Sequence, residues 1–484
     1  MNETQGNAEA DADVIILGVG TCGEDLSLRL LGAGLSVVGI EAALVGGECP
    51  YWGCLPSKMM IRAANALHEA RRVGGLAGKA EVTPDWGPVA ARVRAEATGG
   101  WDDAAAVARF ESRGGRLIKG YGRLTGRRQV NVGDETITAR IGVVIATGSK
   151  PSIPPIAGLD DIDYWNTHDI IQAETLPESI IVLGGGAIGC ELGQVMARFG
   201  VNVTIVEAAD RLLPAEEPEA SNALAAAFEA EGIQVRTASA VSRVAVRDGA
   251  TVATLGTGDE IEAKRLLVAT GRTVDLSDLG IEAVGLDPAM RSVPVDDRMR
   301  VIDGVWAMGD ATGKGMFTHV ALYQSAIVAA EILGESHPPA RYDAVPRAVF
   351  TDPEVGSVGM TEAEARAAGL DVVVAVKQLS STFRGWLHVA GGGIVKLVAD
   401  SGTGCLIGAS AVGPHGAEML GLLSLAVHSR VPIGDLQTMI YAFPTFYGTI
   451  GEAVGAYGRG LATVLDPEYQ GFALLDGLSG AVPA

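Results

Sequence analysis

The chain has 484 residues, 48% hydrophobic and 20% charged, with 65 glycines and a formal net charge of −21. That length exceeds one hydrophobic core and predicts about three domains, and the apolar content excludes a disordered polymer. The acidic balance excludes a phosphate-backbone partner, which needs basic patches, and no apolar run reaches the roughly 18 residues of a membrane span.

Residues 1–13 are polar and acidic, without the basic start and apolar stretch of a secretory signal. A cytoplasmic location is therefore expected. The first element is the apolar strand Val14–Leu17, which runs into Gly18-x-Gly20-x-x-Gly23 and a helix-like stretch, and the next strand ends at Glu41. This is the pattern of a dinucleotide site. The first glycine makes a tight turn, the second lets the backbone approach a pyrophosphate, and the third packs helix on strand. The phosphates sit on the unpaired N–H groups of the helix N-terminus, and the acid holds a ribose.

GGECPYWGCLPSK follows at residues 46–58. Of the five cysteines (Cys22, Cys49, Cys54, Cys190 and Cys405), Cys49 and Cys54 lie five positions apart. So few cysteines in so long a chain make no structural disulfide framework. The spacing is neither C-x-x-C nor part of a double pair, so no metal site is expected. Two readings remain, a buried pair beside a turn or a catalytic disulfide. Gly53 and Pro56 bracket Cys54 and favour a bent turn that brings the sulfurs together. Lys58, one turn further on, would stabilise a thiolate or a reduced flavin by its charge.

Helices are expected across residues 58–112, and the proline-rich segment 149–158 reads as a linker. A second strand then ends in Gly184-x-Gly186-x-x-Gly189, with the following strand ending at Glu207. The first glycines are 184 − 18 = 166 positions apart and the acids 207 − 41 = 166. One GxGxxG is a weak signal, but the whole constellation recurring in one register is a strong one. A carboxylate at Glu207 repels a ribose 2′-phosphate, so NAD(H) is expected over NADP(H), although Arg211 lies close enough in sequence to weaken the argument.

The cysteine segment, placed just after an FAD-type fingerprint, resembles the signature of the flavoprotein disulfide reductases, a family that includes dihydrolipoamide dehydrogenase, glutathione reductase and mercuric reductase. The resemblance continues through Ala146-Thr147-Gly148 and Ala269-Thr270-Gly271-Arg272, VWAMGDAT at residues 305–312 and FTDPEVGSVGMTEAEA at residues 350–365. It implies an α/β fold of two Rossmann-like domains, one for FAD and one for NAD, followed by a C-terminal α/β dimerisation domain. The limits it implies are 1–151 with 276–340, 152–275 and 341–464, with 465–484 as a tail. Cys49 then matches the interchange thiol that meets substrate, and Cys54 the charge-transfer thiol against the flavin. Lys58 matches the lysine near flavin N5, with Glu191 as its ion-pair partner. The FAD positions are Gly18, Gly20, Gly23, Glu41, Gly47, Thr147, Gly148 and Asp310, and the NAD positions Gly184, Gly186, Gly189, Glu207 and Gly271.

The resemblance breaks at the C-terminus. Family members carry His-Pro-Thr with a glutamate five residues after the histidine, and the histidine moves protons for the interchange thiol. Here Pro444-Thr445 sets the register, Phe443 stands in place of the histidine, and Gly448 in place of the glutamate. Tyr51, Tyr441 and Tyr447 are poor bases with a phenol near pKa ~10, His415 and His428 read as surface or packed residues, and Glu452 as a helix-face charge. The second cysteine pair of mercuric reductase is absent, since no thiol follows Cys405. A branch of ketone carboxylases also replaces the dyad, but Gly448 does not match it. Tyr51 and Trp52 depart from the family's usual residues and either shape the acceptor site or fill space.

The expected function is an NAD(P)H-driven oxidoreductase passing hydride through FAD and the Cys49–Cys54 disulfide to a small-molecule acceptor. That acceptor is expected to be a quinone, a metal ion or an unusual disulfide. A homodimer with shared active sites is expected. One alternative is a dihydrolipoamide dehydrogenase-like enzyme with a substitute base, and another is a catalytically silent flavoprotein subunit.

Overall fold

The computed structural model describes residues 10–457; the expected tail, residues 458–464 and residues 1–9 lie outside the described residues. The chain opens with β1 (Ala12–Leu17), α1 (Thr21–Gly32) and β2 (Val37–Glu41). From Val14 to Leu17 β1 is buried on both faces, which is why this part of its sequence is a continuous apolar run without alternation. The cysteines open two consecutive helices, α2 (Glu48–Tyr51) and α3 (Cys54–Arg72). The expected helical stretch resolves into α3, α4 (Gly87–Arg92) and α5 (Ala104–Ser112), because Gly74, Gly75, Gly78 and Pro84 interrupt it. β3 (Arg116–Lys119), β4 (Gly122–Gly126), β5 (Gln129–Val132) and β6 (Glu135–Ile145) complete this pass.

The chain leaves through β7 (Lys150–Pro151) and α6 (Thr167–Gln172), whose start is fixed by a capping box between Asn166 and Asp169. The second unit holds β8 (Ser179–Leu183), α7 (Ala187–Arg198), β9 (Asn202–Val206), α8 (Pro218–Ala230) and β10 (Gln234–Arg236). It continues with β11 (Val241–Arg247), β12 (Ala250–Leu255), β13 (Glu260–Ala263) and β14 (Arg265–Val268). β15 (Arg272–Thr273) pairs antiparallel with β7, so the strands into and out of this unit form one ribbon. The chain then adds β16 (Arg300–Ile302), β17 (Val305–Ala307) and α9 (Thr318–Leu333).

The first sheet has the order β16-β17-β6-β1-β2-β3, parallel except at β16, with β5 and β4 added antiparallel on the extended β6, and the second is a parallel sheet β10-β9-β8-β14 beside an antiparallel β11-β12-β13. In each parallel sheet the strand order reverses beside the glycine fingerprint, which opens a crevice at the C-terminal strand ends. The last unit contains β18 (Pro346–Val349), β19 (Glu354–Gly359), α10 (Glu362–Ala367), β20 (Val372–Gln378), α11 (Phe383–Leu387), β21 (Ile394–Asp400) and β22 (Leu406–Gly413). Its antiparallel sheet has the order β18-β19-β22-β21-β20 and is covered by α12 (Gly416–His428). α13 (Ile433–Thr438) and α14 (Gly448–Tyr457) follow.

Buried charge joins the units. Arg198, at the end of α7, is 1% exposed; it donates to Glu231 at 2.6 and 2.7 Å, to Asp352 at 2.9 Å and to Asn65 at 2.5 Å. Arg198→Ala strands both carboxylates and is expected to cost about 3 kcal/mol. Thermal unfolding at an unchanged midpoint would contradict this. No helix among the described residues is long and apolar enough to cross a membrane.

Candidate active site

Both glycine fingerprints are built by the same constraints. Gly18 and Gly184 have φ of +92° and +105°, and a Cβ on either would lie 2.4 Å from Ala146 O or 2.5 Å from Ala269 O. Any side chain is excluded there. A Cβ on Gly23 or Gly189 would lie 2.1 or 1.9 Å from the carbonyl oxygen of Gly18 or Gly184, so the third glycine sets how closely helix and turn pack. The second glycine is different: a Cβ on Gly186 would meet nothing within 4 Å, and on Gly20 only Gly47 Cα at 3.7 Å. The mouths of α1 and α7 are therefore open to a pyrophosphate.

The two acids are held alike. Glu41 accepts from Val19 N at 2.7 Å and Ala43 N at 2.8 Å, and Glu207 from Gly185 N at 2.6 Å and Ala209 N at 2.7 Å. Each carboxylate keeps further lone pairs for ribose hydroxyls. Arg211 donates to Asp210 and to Pro214 O, so its charge is engaged within its own loop. Thr147 is exposed beside Gly148 (φ +70°), and Gly271 (φ +104°) makes the matching turn after β14. Gly47 (φ +69°) presses the cysteine segment against Gly20. Asp310 accepts from Ser149 Oγ at 2.5 Å. These residues leave room for one dinucleotide in each crevice.

Cys49 lies in α2, Cys54 is the first residue of α3, and both are free thiols. Cys54 Sγ lies 3.3 Å from Thr318 Oγ1, at the start of α9. The Cys54 thiol is lowered to about 6, first by the hydrogen bond from Cys49, then by Thr318 and the Lys58 charge, against the opposing effect of burial. The same shared proton, together with burial, pushes the Cys49 thiol up. The pair thus divides into a thiolate at Cys54 and a thiol at Cys49. The thiolate–flavin absorbance of the reduced enzyme is expected to appear as pH rises through about 6, and a midpoint near 9.0, the ordinary thiol value, would contradict this. Thr318 escaped the sequence reading; its one signal was its place just beyond the 305–312 motif.

Lys58 Nζ donates to Glu191 Oε2 at 2.8 Å, 133 positions away. Glu191 is 5% exposed rather than a solvated helix charge, and its other oxygen accepts from Phe350 N at 2.8 Å. The ammonium also lies 4.8 Å from the centre of the Phe350 ring.

The C-terminal segment stands apart from this cluster in character. Phe443 is 72% exposed and meets Phe383 edge-on at 5.3 Å, while Gly448 begins α14. The Tyr441 hydroxyl donates to Leu436 O, and that of Tyr447 accepts from Ala442 N, so both phenols brace the turn. Burial raises the phenols of Tyr51 and Tyr441 further from neutral pH. Tyr51 is buried against Gly46, whereas Trp52 stacks on Trp101 and His168. His415 caps α12 and packs on Phe446, His428 is exposed, and Glu452 pairs with Lys377 at 3.3 Å.

The sequence matches the family model "Pyridine nucleotide-disulphide oxidoreductase" over residues 12–325 and its "dimerisation domain" over residues 345–454. It is 33% identical to a mercuric reductase of Shigella flexneri, over 92% of this chain and 80% of the relative. It is also 33% identical to a dihydrolipoyl dehydrogenase of Thermus scotoductus, over 94% and 99%. Among solved structures it is similar to the HOCl-induced flavoprotein disulfide reductase RclA from Escherichia coli (TM-score 0.80, 26% identity, 92% of this chain and 99% of that one). LpdA from Mycobacterium tuberculosis is as similar (TM-score 0.81, 27% identity, 92% and 99%). With two nucleotide crevices, a cysteine pair between them and a matching dimerisation domain, the chain belongs to the pyridine nucleotide-disulphide oxidoreductases, the NAD(P)H-dependent enzymes that bind FAD.

Proposed function

We propose that this chain carries reducing equivalents from NADH to the Cys49–Cys54 pair and from there to an acceptor that is not a carrier dithiol. The observation that carries this reading is Phe443: an apolar, non-titrating ring occupies the register of the family's proton-handling histidine, and Gly448 occupies that of its glutamate. A positioned base contributes roughly 10²–10⁴-fold to such transfers. A quinone or a thiophilic metal ion needs that base less than a dithiol substrate does. A metal ion takes electrons without a proton, and a quinone takes its protons from solvent.

Bound FAD supplies the hydride-accepting ring between nicotinamide and thiols, and Gly18, Gly20, Gly23, Glu41, Gly47, Thr147, Gly148 and Asp310 would hold it. Gly184, Gly186, Gly189, Glu207 and Gly271 would hold the nicotinamide nucleotide, with Glu207 favouring NAD(H). Lys58, fixed by Glu191, places a positive charge beside the thiols. Cys54 rests as the thiolate and Cys49 meets the acceptor. When the Cys49 thiol and the Cys54 thiolate close to a disulfide, two electrons go to the acceptor and one proton is released. The C-terminal unit makes a homodimer and presents Phe443 to the partner's site. A metal ion as substrate is supported by the similarity to a mercuric reductase and to RclA, also solved as a "Cu(II) complex". No group of three or more metal-binding side chains occurs among the described residues, so such an ion would meet the two sulfurs as a substrate.

The test compares NADH-linked turnover of lipoamide with that of benzoquinone and of Cu(II) or Hg(II). Turnover of the quinone or a metal ion well above that of lipoamide is expected. Lipoamide turnover equal to the best of them would overturn the reading.

A further inference from the structure

A chain of polar contacts that none of these roles uses runs from Asp310 to the turn between the cysteines. The Ser149 hydroxyl, which donates to Asp310, accepts from Arg272 Nε at 2.7 Å, and Ser149 O accepts from Arg272 Nη2 at 2.7 Å. Arg272 Nη2 reaches Glu48 Oε2 at 3.1 Å, and Glu48 Oε1 pairs with His168 Nε2 at 3.1 Å. The His168 ring lies on Trp52, centroids 4.3 Å apart and planes 17° apart, and Trp52 stacks on Trp101 at 5.6 Å. Trp101 Nε1 donates to Tyr51 O at 3.2 Å, which returns the stack to the same turn.

The turn is thereby gripped on both sides of Cys49. Glu48 precedes that cysteine, and Trp52, whose N–H donates to Glu48 O at 2.8 Å, follows it. Once the disulfide is open, no covalent link fixes the distance between the sulfurs, and a thiol–thiolate hydrogen bond is lost over a fraction of an ångström. His168 comes from α6 and Arg272 from β15, elements that lead into and out of the nucleotide-binding unit. The charged groups that act on the turn are His168 and Arg272 at Glu48, Asp103, Glu24, Arg109 and Asp102 at Tyr51, and, just beyond it, Lys58 at Cys54. Burial opposes ionisation of Glu48, but its hydrogen bond to His168 and the Arg272 charge hold its carboxyl below the ordinary range.

We propose that Glu48 and His168 are positioning residues of the redox pair, holding the Glu48–Trp52 turn so that the Cys49 thiol stays in contact with the Cys54 sulfur. This rests on the reading that Cys49 and Cys54 are the redox pair. The hydrogen bond from Cys49 is the leading cause of the low Cys54 value, so a loosened turn raises it.

The test uses the FAD-loaded enzyme, reduced anaerobically with NADH, and follows the thiolate–flavin absorbance against pH. Glu48→Gln removes the charge and keeps the shape. His168→Phe keeps a ring on Trp52 and removes the donor, and His168→Gln keeps a donor and removes the ring. In Glu48→Gln and His168→Phe the midpoint is expected to rise by about one pH unit, a tenfold shift in the thiol–thiolate equilibrium, with His168→Gln in between. Flavin content stays at the parent level. A rise of less than about half a unit in both overturns the proposal. If Glu48→Gln loses flavin, the two His168 variants decide by the same criterion. Cys54→Ser is the control: absorbance that survives it overturns the redox-pair assignment, and this proposal with it.

Discussion

Cys54→Ser is expected to abolish the long-wavelength absorbance of the two-electron-reduced enzyme, whereas Cys49→Ser shows that absorbance already with its flavin oxidised, before any reduction, and loses turnover of the acceptor. The asymmetry comes from one shared proton. Cys54 opens α3, where unpaired N–H groups favour an anion, and it has Thr318 and Lys58 beside it. Cys49 is pushed the other way and holds the proton that it donates to its partner. In Cys49→Ser a hydroxyl still donates to the Cys54 sulfur, so the thiolate survives. The dithiol cannot close, however, and turnover through it falls by about 10²-fold or more. The reverse pattern would exchange the two roles. Retained turnover in Cys49→Ser would mean that electrons reach the acceptor without the dithiol.

The second large effect is a gain. Phe443→His with Gly448→Glu is expected to raise lipoamide turnover by about 10²-fold or more, the scale of a restored base. The site accepts both changes. Within its own chain Phe443 is exposed, and a glutamate at the first residue of α14 meets the favourable end of the helix dipole. A Cβ on Gly448 would lie 3.1 Å from Thr445 Oγ1 and 3.4 Å from Ala442 O, so the threonine must shift by a few tenths of an ångström. Phe443→His alone gains less, because nothing orients the imidazole. If the double variant keeps its flavin and gains no activity, proton handling is not what separates this chain from dithiol substrates.

The parts legible in the sequence were those imposed by backbone geometry over short spans. Gly18 and Gly184 face carbonyl oxygens that exclude any side chain, and Glu41 and Glu207 bond to backbone N–H groups of their own fingerprints, so spacing alone carried them. The Lys58–Glu191 pair spans 133 positions and was reached only through the family resemblance. Thr318, Glu48 and His168 were missed because their contacts form in the folded chain: Thr318 meets Cys54 across 264 positions and His168 meets Glu48 across 120. No local pattern marks either. The sequence alone does not say whether Trp52 shapes a site or fills space, because its stacking on His168 comes from the meeting of α6 with the cysteine turn.

Under the proposed function the Cys49–Cys54 pair delivers electrons to the acceptor. The most direct measurement is a single anaerobic turnover: the enzyme is reduced with one equivalent of NADH, then mixed with benzoquinone or Cu(II) while the thiolate absorbance is followed. This absorbance is expected to decay at least as fast as steady-state turnover. Absorbance that persists through turnover, with the acceptor reduced all the same, would contradict it.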